Sequence, residues 1–377
     1  MIIVGVGVVA FLLFILQRLV YINLWDKHLS VSVSFLQDGI TEGESGEVMQ
    51  VLENRKRLLL PMVRVGFQTA KYLRFENEPG SITTDQYYHN EIFQINGYEK
   101  ITRRLKFQAE KRGYYHINNI DVAGTDLFFV KEAPYSMSTD SYLYVYPKVF
   151  RSEEFLSALQ KLSGDILVQR HIIEDPFEYR GIREYQPFDD MRAVNWKATA
   201  KVGELKVNQR NYTAMQTVRI FLNTEDADVW KKYREMEMAM QIVLGIAERV
   251  IQQGIRVAFY TNGRDQLTQE PIAIEGGAGI TQLEAIRKAL ARIDTSQKAA
   301  AFVELFREKA RENVTESFNI FVSPNAYLTF QELLCSCETE RIEYRWFYPI
   351  LQYEKDEALK QITDSKVLAH TQFVPFK

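Results

Sequence analysis

The chain begins with one long apolar run. Residues 1–16 contain no polar side chain, and apolar residues resume after Gln17 and Arg18 and continue to Trp25. A helix of about 25 residues covers more than the roughly 30 Å hydrocarbon core of a bilayer. The pattern therefore predicts a single transmembrane anchor over residues 1–25, with Tyr21 and Trp25 suited to the interfacial aromatic belt.

A cleaved signal peptide and a buried core helix are the alternative interpretations of this run. Signal peptides have a positively charged start and a small-residue cleavage site, and the sequence has neither. Arg18, Lys27 and His28 lie in or just after the end of the run, whereas no Lys or Arg precedes it. Since cytoplasmic flanks carry the positive excess, we expect a single-pass cell-membrane protein whose soluble part lies in the cytoplasm.

Residues 26–150 alternate apolar and polar positions in short runs separated by turn-forming residues. The clearest runs are 31–35, 62–67, 104–107 and 142–146. A period of two with this punctuation is typical of antiparallel strands that bury one face. The pattern predicts an all-β sandwich domain of about seven strands over residues 26–150.

From residue 216 to 377 the pattern changes to apolar strand-like runs that alternate with longer helical runs. The strand-like runs are 218–222, 256–260, 318–322 and 344–348, with 367–373 as a candidate for a last strand, and the helical runs are 235–253, 281–293, 303–313 and 326–335. This alternation predicts a doubly wound α/β domain with a parallel sheet covered on both faces. Residues 151–215, helical at first and then without clean periodicity, are expected to pack on that domain.

Composition excludes some classes of function. The net charge of −3, with 46% hydrophobic and 25% charged residues, is ordinary for globular protein and gives no reason to expect a nucleic-acid partner. Cys335 and Cys337 are too close in sequence to suggest a disulfide, which agrees with a cytoplasmic location.

Catalytic motifs are lacking. The five histidines are scattered, and the sequence has no His-Glu-x-x-His, Gly-x-Ser-x-Gly or P-loop pattern. The glycine-rich stretch 276–279 lacks the Lys-Ser/Thr end of a phosphate cradle and is interpreted as a flexible loop ahead of a helix. We therefore expect a protein that is not an enzyme and has no cofactor.

The most specific stretch is 175–201, which contains Arg180, Tyr185, Asp189, Arg192 and the run Trp196-Lys197-Ala198-Thr199-Ala200. It resembles the signature of the family of unknown function DUF58. Three upstream motifs resemble that family as well: Arg112-Gly113-Tyr114-Tyr115, Asp126-Leu127-Phe128 and Val145-Tyr146-Pro147. The resemblance implies an N-terminal membrane anchor, a β-domain and a von Willebrand factor A-like α/β domain. Such proteins are commonly encoded beside a MoxR-type AAA ATPase, which implies an assembly role and that ATPase as a protein partner.

The signature residues have two possible roles. In a structural role, arginine forks pair with carboxylates and tie this irregular segment to the sheet, with Trp196 buried. In a functional role, cations and aromatics form a partner-binding surface, because Arg and aromatic residues are enriched at interaction hot spots. For Asp189, Arg192 and Trp196 the structural role is favoured, and the same choice applies to Arg180, Tyr185, Lys197 and Thr199.

An α/β fold of this type can bind a divalent cation where its strands end, through an Asp-x-Ser-x-Ser loop, a Thr and a later Asp. Here Asn223 replaces the leading Asp, Glu225 the first Ser and Ser323 the later Asp, while Thr281 stands where the Thr would be. The pattern is mostly broken, which favours a loop that serves packing or partner contact over a Mg²⁺ site.

Two hypotheses of function follow. The first is a membrane-anchored, non-enzymatic adaptor or assembly protein whose α/β domain binds protein partners, with a MoxR-type AAA ATPase as the expected one. The alternative is a metal-dependent adhesion or ligand-binding receptor whose soluble part faces outward.

Overall fold

The structure, a computed structural model, describes residues 2–76, 82–83, 86–129, 132–170, 179–187, 189–210, 217–226, 232–310 and 317–376. Its contacts divide the chain into two compact units. The β unit comprises Met1–Lys148 and Leu290–Arg292, and the α/β unit comprises Val149–Ala289 and Ile293–Lys377. The described residues of 151–215, the segment expected to pack on the α/β domain, are grouped with the α/β unit.

The N-terminal apolar run forms helix α1, Ile2–Leu24. Its stretch Ile3–Leu24 has 22 residues and a mean hydropathy of 2.4. At 1.5 Å per residue this stretch is about 33 Å long, enough to cross the hydrocarbon core. By length and composition, α1 could therefore span a membrane.

In its described residues, the β unit has ten strands in two sheets. The strands are β1 Leu29–Phe35, β2 Gly39–Thr41, β3 Ser45–Asn54, β4 Leu60–Ala70, β5 Leu73–Phe75, β6 Ile82–Thr83, β7 Gln86–Ile95, β8 Lys100–Ala109, β9 Gly113–Thr125 and β10 Glu132–Tyr146. One sheet has the order β1-β3-β8-β5 and the other β2-β10-β9-β4-β7-β6. The sequence predicts about seven strands; β2, β5 and β6 have three residues or fewer, too few to show a period of two.

Alternate residues of the long strands form the core of the β unit. Val48 and Leu52 in β3 and Leu143 and Val145 in β10 are fully buried, while Met49, Val51 and Tyr144 on the other face are partly exposed. The predicted one-sided strands are thus present, because side chains of a strand point alternately to its two faces.

The end of α1 also belongs to this core. Tyr21 and Trp25 are each only 5% exposed, so their assignment to an interfacial aromatic belt is wrong. The Tyr21 hydroxyl donates to the carbonyl of Leu59 at 2.8 Å, and Lys56 Nζ donates to the carbonyl of Trp25 at 2.8 Å. A Cβ added to Gly124 would overlap Cε3 of Trp25, so the indole packs directly on the β9 backbone.

The α/β unit is built on a seven-stranded sheet of order β15-β14-β13-β17-β18-β19, with β16 paired to β14. The strands are β13 Thr217–Leu222, β14 Arg256–Asp265, β15 Pro271–Gly277, β16 Ile293–Asp294, β17 Ser317–Val322, β18 Tyr344–Leu351 and β19 Thr371–Phe376. The pairs from β14 through β13, β17 and β18 to β19 are parallel, whereas β15 and β16 run antiparallel to β14.

Helices cover both faces of this sheet. They are α2 Glu153–Arg170, α4 Tyr233–Gln252, α5 Gly279–Arg292, α6 Phe302–Ala310, α7 Leu328–Thr339, α8 Lys355–Gln361 and α9 Ser365–Ala369. On one face Phe221 and Phe321 pack edge-on against Phe306 of α6 and Phe330 of α7. Helix α4 contacts β13, β14, β17 and β18, and its apolar side chains face the opposite set of strand residues.

Two local predictions for this unit are wrong. Gly276 and Gly277 end strand β15 rather than forming a flexible loop, and α5 begins at Gly279. The two glycines carry no side chain, so the end of this edge strand shows no apolar–polar period in the sequence. The candidate strand 367–373 is wrong in its first part, because residues 365–369 form the short helix α9, in which Val367 is buried. The last strand, β19, begins only at Thr371.

Candidate functional site

The signature residues fold into a small module of their own, named here the signature module (described residues 179–187 and 189–210). Strand β11, Tyr179–Glu184, pairs antiparallel with β12, Lys206–Arg210. Between them lie a 3-10 turn, Met191–Ala193, and the helix α3, Trp196–Val202. Helix α3 has only seven residues and the two strands six and five, which is too short for clean periodicity in the sequence.

Local side chains fix the position of α3. The Asp190 carboxylate accepts from a backbone N–H of the 3-10 turn, and the Asn195 amide oxygen accepts from the backbone N–H of Ala198 at 2.9 Å. Both are N-cap interactions, which satisfy donors at a helix start. Gly203, at φ 81°, ends α3 in the left-handed conformation that glycine adopts without steric cost.

Asp189 holds the start of the module together. Its two carboxylate oxygens accept from the two terminal nitrogens of Arg183, each at 2.6 Å, and one also accepts from the backbone N–H of Gln186 at 2.8 Å. The Arg183 fork, followed by the Gln186 N–H, holds the pKa of Asp189 below its usual range. This is the structural role that the sequence favours for Asp189.

Acidification is expected to loosen the start of the signature module. Because the pKa of Asp189 is lowered in the folded state, its pairing stabilises the module above the unfolded pKa of about 3.9 and is lost as pH falls through the lowered folded value. Hydrogen exchange of the Gln186 amide, corrected for its intrinsic pH dependence, should accelerate once the pH falls below the lowered pKa of Asp189. Asp189→Asn should exchange rapidly at neutral pH already; if both proteins protect this amide equally, the fork does not hold the module.

Thr199 and Tyr185 also connect parts of the module. The Thr199 hydroxyl oxygen accepts from the backbone N–H of Lys206 at 3.0 Å, which ties α3 to β12. The backbone N–H of Tyr185 donates to the carbonyl of Leu205 at 3.0 Å. The side chain of Arg180 lies outside the described residues.

Trp196 is 62% exposed, so the interpretation that buries it is wrong. Helix α3 contacts β12 and turns toward it the side that carries Ala198 and Thr199, which are partly buried. Trp196, Lys197 and Lys201 therefore lie on its exposed side, named here the outer face of α3. Arg192, on the preceding turn, is exposed too. The side chains of Arg192, Lys197 and Lys201 form no ion pair with another described residue.

Three of the four residues proposed as a degenerate metal site, Asn223, Glu225 and Ser323, belong to one hydrogen-bonded network where β13 and β17 end. Asn223 Nδ2 donates to Ser323 Oγ and to the Tyr327 hydroxyl oxygen, both at 3.2 Å. Asn223 Oδ1 accepts from the backbone N–H of Glu225 at 3.0 Å and from Asn262 Nδ2 at 3.2 Å. Both atoms of the Asn223 amide are thus used within the protein.

The Glu225 carboxylate is engaged in the same network. It accepts from the Tyr327 hydroxyl at 2.6 Å and from the backbone N–H of Phe302 at 3.3 Å. Burial, followed by the hydrogen bond to Glu225, raises the pKa of Tyr327. The loop after β13 is therefore fastened to the starts of α6 and α7.

Thr281 lies elsewhere. It is an exposed residue in the first turn of α5, which follows β15. Since β15 runs antiparallel to β14 and its Gly277 lies opposite Val257, α5 starts near the beginning of β14. Asn223 and Ser323 lie at the opposite edge of the sheet, where the parallel strands end. The structure therefore does not bring Thr281 to the proposed site.

The residues at this edge do not fit a divalent cation. Mg²⁺ needs oxygen ligands with at least one free carboxylate, whereas Asn223 presents its Nδ2 donor inward and Glu225 accepts from protein donors. Within the described ranges, no group of three His, Cys, Asp or Glu side chains could hold a metal ion. This geometry gives no support to the alternative of a metal-dependent receptor.

Sequence reasoning missed several residues that build these sites. Asn195 carries a usable signal, because Asn directly before a short helical run is a preferred N-cap. Asn262 and Tyr327 carry none, because they reach Asn223 from positions 39 and 104 residues away in the chain.

One family model matches part of the chain. Residues 181–318 match the family described as "Protein of unknown function DUF58", a stretch that includes most of the signature module. No curated protein matches the sequence significantly.

Solved structures similar to part of the chain are small β-rich domains. The CARDB domain of a Pyrococcus furiosus protein, solved in complex with di-metal ions, is 13% identical, covers 30% of this chain and 86% of that chain, and has a TM-score of 0.21. A non-cellulosomal cohesin from the hyperthermophilic archaeon Archaeoglobus fulgidus is 11% identical, covers 31% of this chain and 91% of that chain, and has a TM-score of 0.22.

Proposed function

We propose that this chain is a membrane-anchored, non-enzymatic adaptor that binds a protein partner through the outer face of α3. The observation that carries the proposal is Trp196, a large aromatic side chain left 62% exposed on a helix that caps and hydrogen bonds hold in place. Exposed tryptophan is uncommon on a surface without a partner, and Trp and Arg are the residues most enriched at interaction hot spots.

The charges around Trp196 indicate the chemistry of the partner. Lys197 and Lys201 flank it on α3 and Arg192 lies on the preceding turn, all exposed. Cations beside an aromatic anchor favour an anionic partner surface, which steers association and fixes the register of docking. We therefore propose that the partner presents an acidic segment with an apolar side chain that covers the indole.

The pairing of related proteins with an ATPase suggests the partner's identity. The match to DUF58 over residues 181–318 includes Trp196 and the cations beside it. Since relatives with this signature are commonly encoded beside a MoxR-type AAA ATPase, we propose that ATPase as the protein that docks on the outer face of α3.

The proposed location is the cell membrane, with the soluble part in the cytoplasm. Beside the end of α1, the loop after β3 carries Arg55, Lys56 and Arg57, and the backbone N–H of Arg55 donates to the carbonyl of His28. Together with Lys27, these cations supply positive charge on the side where the chain leaves the bilayer. This distribution supports a cytoplasmic β unit by the positive-inside tendency.

Trp196→Ala is expected to weaken binding of the ATPase to the full-length protein in detergent by about 30-fold, since a hot-spot tryptophan contributes about 2 kcal/mol. Isothermal titration with the purified ATPase measures this change. Tyr353→Ala is the matched control, because Tyr353 is 78% exposed elsewhere on the α/β unit, and it should bind as wild type does.

Two results would contradict the proposal in different ways. If the wild-type protein does not bind the ATPase, the proposed partner is wrong. If the Trp196→Ala and Tyr353→Ala variants both bind as tightly as wild type, the partner docks elsewhere. Lys197→Glu and Lys201→Glu test the charge, because they should slow association most at low salt.

A further inference from the structure

The turn between β9 and β10 carries three consecutive apolar side chains that stay exposed. Leu127 is 43% exposed, Phe128 60% and Phe129 59%. Asp126 shapes the turn, because its carboxylate accepts from the backbone N–H of Phe128 and its carbonyl accepts from that of Phe129, both at 3.2 Å. The apolar side chains are therefore presented by a hydrogen-bonded turn.

The backbone at Phe129 is in an unfavourable conformation. Its φ is 58°, in the left-handed region that bulky residues rarely adopt. A glycine or asparagine would relieve this conformation, but a phenylalanine occupies the position and points its ring outward. Strain of this kind is retained where the side chain has a use, so a ligand for the exposed ring is expected.

The turn lies beside the apolar helix. The ring centroids of Phe128 and Phe14 are 5.4 Å apart. Phe14 lies well inside the stretch Ile3–Leu24. Leu24 follows it by ten positions, which correspond to about 15 Å of helix. The turn therefore contacts α1 about 15 Å before the C-terminal end of the helix at Leu24.

Spacing along α1 shows that this contact is part of a longer packed stripe. Phe14, Arg18, Tyr21 and Trp25 follow one another at intervals of three or four residues and are partly or fully buried, whereas Leu12 and most of their neighbours are exposed. Residues at this spacing share one face of a helix. The β unit therefore packs along the second half of α1 and not only at its end.

We propose that Leu127–Phe129 is a second membrane contact, a turn that inserts into the same leaflet as the second half of α1. The inference rests on the proposed membrane location of α1. If the second half of α1 lies in the bilayer, a turn packed against Phe14 lies at the depth of the acyl chains or just beneath the head groups.

Lipid fits this turn better than a protein partner does. The three side chains are all apolar, and they continue the exposed apolar surface that α1 presents at Leu12 and Leu13. Apolar side chains in that position are transferred from water to hydrocarbon together with the helix. Two contacts would also fix the orientation of the β unit, which a single helix leaves free to tilt and rotate.

Depth-dependent quenching in nanodiscs tests the inference on the full-length chain. Cys335→Ser and Cys337→Ala remove the native thiols, and single cysteines are then placed by Phe129→Cys, Leu12→Cys and Leu36→Cys and labelled with a small fluorophore. Leu12 reports on α1 itself. Leu36 is the matched control. It is 46% exposed and lies between β1 and β2, and β2 pairs with the end of β10 that is far from the β9–β10 turn. The quencher is a lipid that carries a nitroxide on its acyl chain.

Insertion predicts that the acyl-chain nitroxide quenches the labels at positions 129 and 12 several-fold more than the label at position 36. Leu127→Cys provides a second probe, should the label at position 129 disturb the strained turn. If position 12 is quenched and positions 127 and 129 are not, the turn is outside the bilayer and the inference is overturned while the anchor stands. Ready quenching of 127 and 129 by a water-soluble quencher in that case would place the turn in water. If position 12 is not quenched either, the proposed anchor fails and the inference fails with it.

Discussion

Asn223→Asp is expected to lower the free energy of unfolding of the α/β unit by about 3–5 kcal/mol, the usual cost of an uncompensated buried charge. Asn223 is fully buried, and its Nδ2 donates to the oxygens of Ser323 and Tyr327. A carboxylate cannot donate, and those two hydroxyls already donate to Asn325 and Glu225. The new charge would also lie close to the Glu225 carboxylate.

Hydrogen exchange of the β13 and β17 amides in the full-length protein measures this loss for the α/β unit alone. Gln352→Glu adds the same charge at an exposed position and should change stability by less than about 0.5 kcal/mol. Magnesium provides the decisive comparison, because Asn223→Asp restores the leading residue of a metal-binding loop. If magnesium restores the stability of this variant, the edge is a metal site that lacks one ligand, and the packing interpretation is wrong.

Trp25→Ala is expected to lower the free energy of unfolding of the β unit by about 3–5 kcal/mol, as truncation of a buried tryptophan does. Trp25 is 5% exposed, and its ring packs on the backbone of Gly124. Gly124→Ala should cost about 1–3 kcal/mol, because the new Cβ would overlap the ring. Exchange of the β4 and β9 amides reports both values.

The two substitutions together separate packing from other causes. With the indole removed, the Cβ at position 124 has space, so Gly124→Ala should cost much less in the Trp25→Ala background than in wild type. Additive effects would show that the two residues do not contact each other in solution. Trp196→Ala is the control for the loss of a tryptophan, since Trp196 is 62% exposed and its truncation should leave stability nearly unchanged.

The close packing of Trp25 ties the N-terminal apolar helix to the β unit. A helix joined to the β unit only by a flexible chain would transmit no orientation to it. Here Tyr21, Trp25 and Lys56 connect the helix end to the core of the β unit through burial and hydrogen bonds. Helix α1 and the strands therefore belong to one compact unit, the β unit. The proposed insertion of the β9–β10 turn depends on this.

Several features of this protein follow from the sequence because they are periodic over many residues. The apolar run of α1, the alternation in β3 and β10, and the strand and helix runs of the α/β unit each repeat one physical preference many times. Repetition makes such a signal robust to single exceptions. The sequence also contains the signature residues themselves, since the resemblance to DUF58 is carried by residue types at fixed spacing.

The tertiary structure alone decided which of those residues pack and which are exposed. Asp189 and Trp196 lie seven positions apart in one signature, yet the first is fixed by Arg183 and the second is exposed on α3. The network around Asn223 and the contact of Phe128 with Phe14 join segments that are far apart in the chain. Such contacts depend on the three-dimensional path of the whole chain, so no local pattern of residues encodes them. For this protein, the periodic elements could be predicted from sequence, whereas the surfaces that carry its proposed function could not.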